Sequence, residues 1–420
     1  MLRSAEIIAV GSELLTPHRT DTDSLFLTSR LNDAGIVVRR KVVVGDSRED
    51  LADAVASALA RADLVITTGG LGPTDDDLTR EAVADVLGLQ LDEDPSIVAS
   101  IAARFARRGS VMPEINRRQA LVPRGATVFP NPVGTAPGLL IQTGERLVVL
   151  FPGPPRELTA MFDAHFAPRL AALAGSRRLQ RRVIKIIGRA ESEVDAVASP
   201  IYTPLASGPL PVETTILASA GQIELHLSAA GDDDAAVAAR LDAGVTALAT
   251  ALAPFVFSTD GRSLEAVVGG LLDARGWRVA LAESCTGGLL AGRLTDVPGS
   301  SGWVVGGVVA YANDVKVAEL GVPAAMIDTN GAVSEPVARA MAEGVRDRLH
   351  ANVGIGITGI AGPDGGTPEK PVGTVVIAVA ATETLVRTFR FSGDRELVRR
   401  HSTSTALDML RRLLLDLPPR

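Results

Sequence analysis

The 420-residue sequence holds a single cysteine, Cys285. That excludes a disulfide framework and argues against a cysteine-based zinc site. Aromatic residues make up only 3%, so Val, Leu, Ile and Ala must build the core, and no base-stacking platform for single-stranded nucleic acid is expected. There is no long Lys/Arg run and the formal net charge is -7. The electrostatic footprint of a nucleic-acid binder is therefore missing, and direct nucleic-acid binding is not expected. An anionic ligand must be held by local features such as backbone N–H groups, single arginines or a metal ion. No apolar run reaches the ~18–20 residues that span a bilayer, and the stretch MLRSAEIIAVGSELL reads as a strand and a loop without a signal-peptide core. A cytoplasmic location with no membrane partner is expected. Lysine occurs only at Lys41, Lys185, Lys316 and Lys370. Arginine cannot lose its proton near neutral pH, so candidate amine bases are few.

Hydrophobic residues at 46% and charged residues at 22% are ordinary for a globular chain with a real core, and the length suggests about three domains. Over 1–172, apolar runs alternate with helical patterns: strands at Glu6–Val10, Ile36–Val44, Asp63–Thr68 and Leu147–Phe151, helices at Asp23–Ala34, from Ser47 to Ala60, and Asp76–Gly88. This predicts a doubly wound α/β domain whose ligands bind beyond the carboxyl ends of parallel strands. Residues 173–256 read as a small α+β unit, KH-like in layout but without the GxxG clamp of RNA-binding KH domains. A spacer or dimerisation role is expected for it. Over 257–420 the β/α alternation returns, with strands at Arg278–Ala282, Trp303–Ala312, Val353–Thr358 and Thr374–Ala380 and a helix over Arg395–Leu415.

The segment AESCTGG, Ala282–Gly288, joins a strand to a helix. Backbone N–H groups of Thr286, Gly287 and Gly288 at a helix N-terminus favour negative charge, including a tetrahedral oxyanion. Ser284 is thus a candidate nucleophile. Helix capping by Ser284 and Thr286 explains the same residues equally well. None of the five histidines lies in a glycine loop or beside a strand end of this domain, so lysine is the alternative base. Lys316, in YANDVK, falls in the first turn of a short helix that Asn313 can cap, where the helix dipole disfavours a second positive charge. Tyr311 at the strand end is a candidate proton relay or carbonyl contact. Cys285 is a rival nucleophile that is more often a small buried residue. Glycine loops at Pro298–Gly302 and Thr358–Gly366 are candidate phosphate cradles.

In the first domain, Asp63–Thr68 feeds GGLGPTDDD, Gly69–Asp77. Thr74 or Asp75 can cap the following helix, and acidic residues suit its dipole. Three consecutive carboxylates beside a glycine loop also suggest a hard divalent cation holding a phosphate. The loops Gly11–Leu15, Asn131–Gly138 and Pro152–Leu158 are expected at the same sheet edge, with Asn116 and Arg117 adding polar reach.

The ordered motifs AESCTGG, YxNxxK, AVSE (Ala332–Glu335), TGIAGPDGG and KPVGT (Lys370–Thr374) resemble the C-terminal domain of the CinA family over roughly residues 258–415. That domain is a nicotinamide mononucleotide amidohydrolase with an α/β fold. The resemblance implies Ser284 as nucleophile, Lys316 as base and no cofactor. It implies a site lined by Tyr311, Ser301, Thr358 and Gly359, with the Arg399–Arg400 pair reaching the substrate, Arg399 foremost. Residues 3–170 resemble the family's N-terminal domain, which shares its fold with molybdopterin-binding proteins and is associated with metal-dependent ADP-ribose pyrophosphatase activity. Here the resemblance implies Gly69, Gly70, Gly72 and Thr74 on the phosphate side and Asp75, Asp76, Asp77 and Glu13 around a divalent metal ion, with Asn116 and Asn131 contributing elsewhere. Thr16-Pro17-His18 and Asp21-Thr22-Asp23 depart from the family's usual glycine and DTN triplet. The partners implied are nicotinamide mononucleotide, ADP-ribose and a second copy of the chain in a homodimer. A molybdopterin-handling module fused to a deamidase, and a non-enzymatic interaction protein acting in competence, are the competing expectations.

Overall fold

The computed structural model describes residues 2–175, 177–219 and 221–418. It falls into two compact units, Met1–Gln180 with Ala230–Ala238, and Arg181–Ala229 with Ala239–Arg420. The strands, in chain order, are β1 (Ser4–Val10), β2 (Val37–Val44), β3 (Leu64–Thr68), β4 (Leu91–Glu93), β5 (Leu121–Pro123), β6 (Thr127–Phe129), β7 (Gly138–Thr143), β8 (Arg146–Phe151), β9 (Arg178–Ile187), β10 (Glu213–Ser219), β11 (Gln222–Gly231), β12 (Val256–Ser258), β13 (Val279–Glu283), β14 (Val304–Val309), β15 (Val353–Gly359), β16 (Thr374–Ala380) and β17 (Thr384–Arg390).

The first unit is built on a six-stranded sheet of order β2-β1-β3-β8-β7-β6. Its first four strands are parallel. β7 and β6 run antiparallel, an extension that the alternating pattern did not predict. β1 and β3 are buried along their whole length, as strands covered by helices on both faces must be. β2 is the edge: its exposed Arg39, Arg40 and Lys41 guard it against pairing with another chain. Ser47 caps the helix Arg48–Arg61 by accepting the N–H of Asp50, as predicted. The helix after β3 begins only at Thr79, so Asp76 and Asp77 belong to the loop and neither Thr74 nor Asp75 is its cap.

In the second unit a four-stranded sheet, β10-β11-β9-β12, precedes a five-stranded one, β14-β13-β15-β16-β17. Along β11, Ile223, Leu225 and Leu227 are buried and alternate with the half-buried Glu224 and His226. Ile187 and Phe257, at the ends of β9 and β12, join the core of the five-stranded sheet. β14, β13 and β15 are parallel, and β16 and β17 are antiparallel. The helix Arg395–Leu414 packs across this core. Near its end Asp408 accepts Arg411 (2.7 and 2.9 Å) and Arg412 (3.0 Å), all three buried. Arg411 also reaches Pro254 O at 3.2 Å, fastening the helix to the approach of β12. Removing the anion strands two buried guanidinium groups. Asp408→Ala should therefore lose about 3–5 kcal/mol of stability, read as a fall in the denaturant midpoint; a loss below ~1 kcal/mol would show that the cluster is solvated. No helix is long and apolar enough to cross a membrane among the described residues.

Candidate functional sites

In the first unit, the loops that follow β1, β3 and β8 surround a cavity of about 710 Å³. This is the crevice where the strand order reverses between β2-β1 and β3. Glu13, Asp21, Asp23, Asp46, Asp76, Asp77 and Glu157 line it, against one basic residue, Arg19. The turn Ser12–Leu15 is held there by Ser12 N–H donating to Asp46 (2.9 Å) and Asp46 N–H donating to Ser12 Oγ (3.0 Å). Asp23, in the triplet that departs from the family pattern, is buried; burial first and Asp21 second push its carboxyl up to about 6.

Gly69, Gly70, Gly72 and Thr74 all line the cavity, but the three aspartates have different surroundings. Asp77 folds back and accepts the N–H groups of Gly72 (2.7 Å) and Thr74 (2.9 Å) as well as the Thr74 hydroxyl, so it closes the loop. Asp75 is fully exposed and pairs with Arg118 at 3.1 Å. Asp76 is exposed on the cavity wall, where the Thr74 hydroxyl first, then its own backbone N–H and Arg118, hold its carboxyl below the usual carboxylate range. Among the described residues no three His, Cys, Asp or Glu side chains form a metal-holding group. The structure thus does not bring Asp75, Asp76, Asp77 and Glu13 together as one ligand set.

Two further predicted contacts are scaffolding. Asn131 Oδ1 accepts Val133 and Gly134 N–H, and its amide donates to Ala136 O (2.8 Å) and Glu157 (2.7 Å), so its hydrogen bonds are spent within the loop. Asn116 is buried and donates to Gln119 at 3.0 Å; Gln119 is the one on the cavity wall. Arg117 pairs with Glu93. Arg19 and Gln119 carried no sequence signal beyond their neighbourhood.

In the second unit, Ser284 follows β13 directly. Its N–H still donates to Ile357 O of β15 (3.0 Å), and Ala310 N–H, just past β14, donates to Glu283 O (2.7 Å). Ser284 therefore stands at the carboxyl edge between the ends of two parallel neighbours. The helix Leu289–Thr295 is capped by neither Ser284 nor Thr286. Buried Glu283 does that, accepting the N–H groups of Gly288 (3.1 Å), Leu290 (3.1 Å) and Ala291 (2.8 Å). Gly287 N–H is taken by Ser284 O at 3.1 Å. The expected oxyanion donors at Gly287 and Gly288 are thus occupied, and the N–H groups of Cys285 and Thr286 are those with no protein acceptor among the described residues. The residue after a nucleophile at a strand-to-helix turn commonly supplies such a donor. Ser284 Oγ makes no hydrogen bond to the described residues and is 8% exposed.

Lys316 is buried in the helix Asn313–Leu320. Its ammonium donates to Tyr311 O (3.2 Å) and Asn313 Oδ1 (3.5 Å), and no carboxylate pairs with it among the described residues. Asn313 does not cap the helix but faces the lysine. Burial holds the lysine below its ordinary pKa, with the negative charge of Asp314 pulling it partly back. Cys285 is buried beside it, and desolvation pushes its thiol up to about 12, so it stays protonated.

Arg399 donates to Thr286 O at 2.7 Å. Its Nε and the hydroxyl of fully buried Thr286 have no partner among the described residues. Arg400 instead pairs with Glu396, exposed. One turn earlier Arg395, which sequence reasoning missed, donates to Gly362 O (2.8 Å) and to the Tyr311 hydroxyl (2.9 Å). The i, i+4 spacing from Arg399 was the available signal. With Leu289 and Glu396, these arginines line a recess of about 410 Å³. Tyr311 is 60% exposed and meets Lys316 only through its backbone carbonyl, so its ring is not a relay to that amine. Thr358 is buried at the end of β15 and gives its hydroxyl to Ala332 O. Gly359 is a packing glycine: a Cβ there would meet Val375 at 2.7 Å. Ser301 lies in the turn that precedes β14, at the opposite end of the sheet from Ser284, and this chain does not bring it to the site.

Residues 261–414 match the family described as CinA C-terminal domain, and residues 6–172 match the one described as probable molybdopterin binding domain. The chain is 48% identical to a CinA-like protein of Koribacter versatilis over 98% of this chain and 100% of that protein. It is 46% identical to a CinA-like protein of Acidobacterium capsulatum, again over 98% of this chain and 100% of that one. A crystal structure of a competence/damage inducible protein from Agrobacterium tumefaciens is 43% identical and covers 36% of this chain and 93% of its own, with a TM-score of 0.35. With full-length similarity and both end domains matched in order, the chain belongs to the CinA-like family.

Proposed function

We propose that the chain is a bifunctional hydrolase of pyridine-nucleotide metabolites. Its C-terminal site deamidates nicotinamide mononucleotide to nicotinic acid mononucleotide and ammonia, and its N-terminal site cleaves ADP-ribose to AMP and ribose 5-phosphate with a divalent metal ion. The observation that carries the reading is a buried lysine without a carboxylate partner among the described residues, its amine on Tyr311 O just past the end of β14, while Ser284 stands at the same carboxyl edge with its hydroxyl not used as a helix cap. In this mechanism Ser284 Oγ attacks the carboxamide carbon and its proton passes to neutral Lys316. The oxyanion rests on the N–H groups of Cys285 and Thr286. Lys316 returns the proton to the nitrogen as the C–N bond breaks and ammonia leaves. Water then adds to the acyl-enzyme, giving the carboxylate and restoring Ser284. The arginine recess suits the substrate's phosphate.

At the N-terminal site the donors on the wall are all hard oxygens. They fit a hydrated ion bound by one or two carboxylates plus substrate phosphates better than a cage made by protein alone. Glu13 and Asp76 would hold it, and it would supply charge neutralisation of the diphosphate. The chain itself contributes the N–H groups of Gly70 and Leu71, which have no protein acceptor among the described residues and would donate to phosphoryl oxygens, and Arg19, the one cation on the wall.

Incubating the purified protein with each nucleotide, with and without added divalent metal, tests both halves: ammonia release independent of metal, and AMP formation dependent on it. Substitution should rank the aspartates. Asp76→Asn is expected to cut ADP-ribose turnover about 10- to 100-fold and weaken its metal dependence, Asp75→Asn to change it less than about twofold, and Asp77→Asn to lower the melting temperature as well. Equal effects from Asp75 and Asp76 would mean that the loop rearranges on binding.

A further inference from the structure

The peptide groups of Gly69–Gly72 are all turned the same way. Gly69 O accepts the Thr79 hydroxyl (2.9 Å) and Gly70 O accepts Thr79 N–H (3.1 Å), while Leu71 O and Gly72 O accept the two terminal nitrogens of Arg80 (2.7 and 3.0 Å). In a planar trans peptide the N–H opposes the C=O. Carbonyls drawn toward Thr79 and Arg80 therefore send the N–H groups of Gly70, Leu71 and Gly72 to the other side. That side already receives an anion: Gly72 N–H donates to Asp77. Gly70 and Leu71 N–H have no protein acceptor among the described residues, and both residues line the cavity. Gly69 and Gly70 adopt φ of +96° and +64°, which favours glycine and lets the turn bring its peptide groups round to the cavity.

Arg80 is 0% exposed, and among the described residues its Nε has no partner and it forms no ion pair. Asp77, Glu81 and Arg118 are the charges nearest it. Two carbonyls alone do not require a buried cation, which carries a desolvation cost. We propose that Arg80 is a positioning residue: it holds the Gly70 and Leu71 N–H groups toward a phosphoryl group in the cavity and lends that position its charge. The identity of the nucleotide rests on the pyrophosphatase reading; the anion site does not.

The test is calorimetric binding of inorganic pyrophosphate to the full chain, without divalent metal, alongside KM and kcat for ADP-ribose with metal. Arg80→Gln should weaken pyrophosphate binding roughly 10- to 100-fold and raise KM by a similar factor with a smaller change in kcat. Arg80→Lys keeps the charge but cannot bridge both carbonyls, and should weaken binding about tenfold; it carries the test if the glutamine variant does not fold. Variants that melt earlier yet bind pyrophosphate like the wild type would overturn the proposal, as would a wild-type protein that does not bind pyrophosphate. A wild type that binds pyrophosphate in an Arg80-dependent way but does not cleave ADP-ribose supports the proposal and refutes the pyrophosphatase reading.

Discussion

Ammonia release from nicotinamide mononucleotide is expected to fall by at least about 10⁴-fold in Ser284→Ala, with ADP-ribose cleavage by the same preparation unchanged. The separation follows from placement: Ser284 stands at the carboxyl edge of the β13–β15 sheet, and the acid-lined cavity lies in the other unit. The substitution should leave the fold intact, because Glu283 rather than Ser284 caps the following helix. Cys285→Ser in parallel should keep most of the deamidase activity, since a thiol pushed up to about 12 is not a thiolate at neutral pH. A folded Cys285→Ser variant without activity would move the nucleophile to the thiol. Loss of both activities in Ser284→Ala would break the two-site reading.

Lys316→Arg should be nearly as inactive in deamidation as Lys316→Ala, each losing roughly 10²–10⁴-fold. Arginine keeps the charge, so an electrostatic role would survive the exchange; it does not give up a proton, so a base role would not. In the wild type only the neutral amine can accept the serine proton. Burial lowers the lysine's pKa, so the rate should rise with pH through that depressed value and level off below the usual lysine range. The pH–rate profile and the arginine variant are measured together. Near-normal turnover in Lys316→Arg, or a rate that climbs only as pH reaches ordinary lysine ionisation, would remove Lys316 from the role.

The parts of the fold legible in sequence were the strands buried on both faces. β1, β3, β13 and β15 are mostly apolar runs followed by glycine loops, and that pattern places ligand loops at the carboxyl edge. The antiparallel additions were harder. β7 emerges from the proline- and glycine-rich loop at Asn131–Gly138, and β17, TLVRTFR, carries two arginines on a partly exposed edge. Ser284 was visible from its place in a glycine-ended strand-to-helix turn, and Lys316 from the rarity of lysine. Glu283 was not, because only the fold shows a carboxylate at a strand end reaching N–H groups five to eight residues on. Nor can sequence say which side of a loop each of three aspartates takes: one closes the turn, one meets Arg118 and one faces the cavity. Ser301 was assigned by its motif. Its position before β14, rather than after it, was the clue that it belongs to the far edge of a parallel strand.

The scarcity of lysine has a practical side once each amine is placed. Lys316 is buried against Tyr311 O, Lys370 is half-buried with its amine on Asn330 O (2.9 Å) and Val333 O (2.8 Å), and Lys185 is held by Glu224 at 3.0 Å. Only Lys41, on the edge strand β2, is exposed. Among the ε-amines, a fluorophore ester or a surface-coupling reagent would find one free target. The protein is thus nearly prepared for single-position labelling or oriented immobilisation through its N-terminal sheet, with Ser284 and Lys316 untouched by the chemistry.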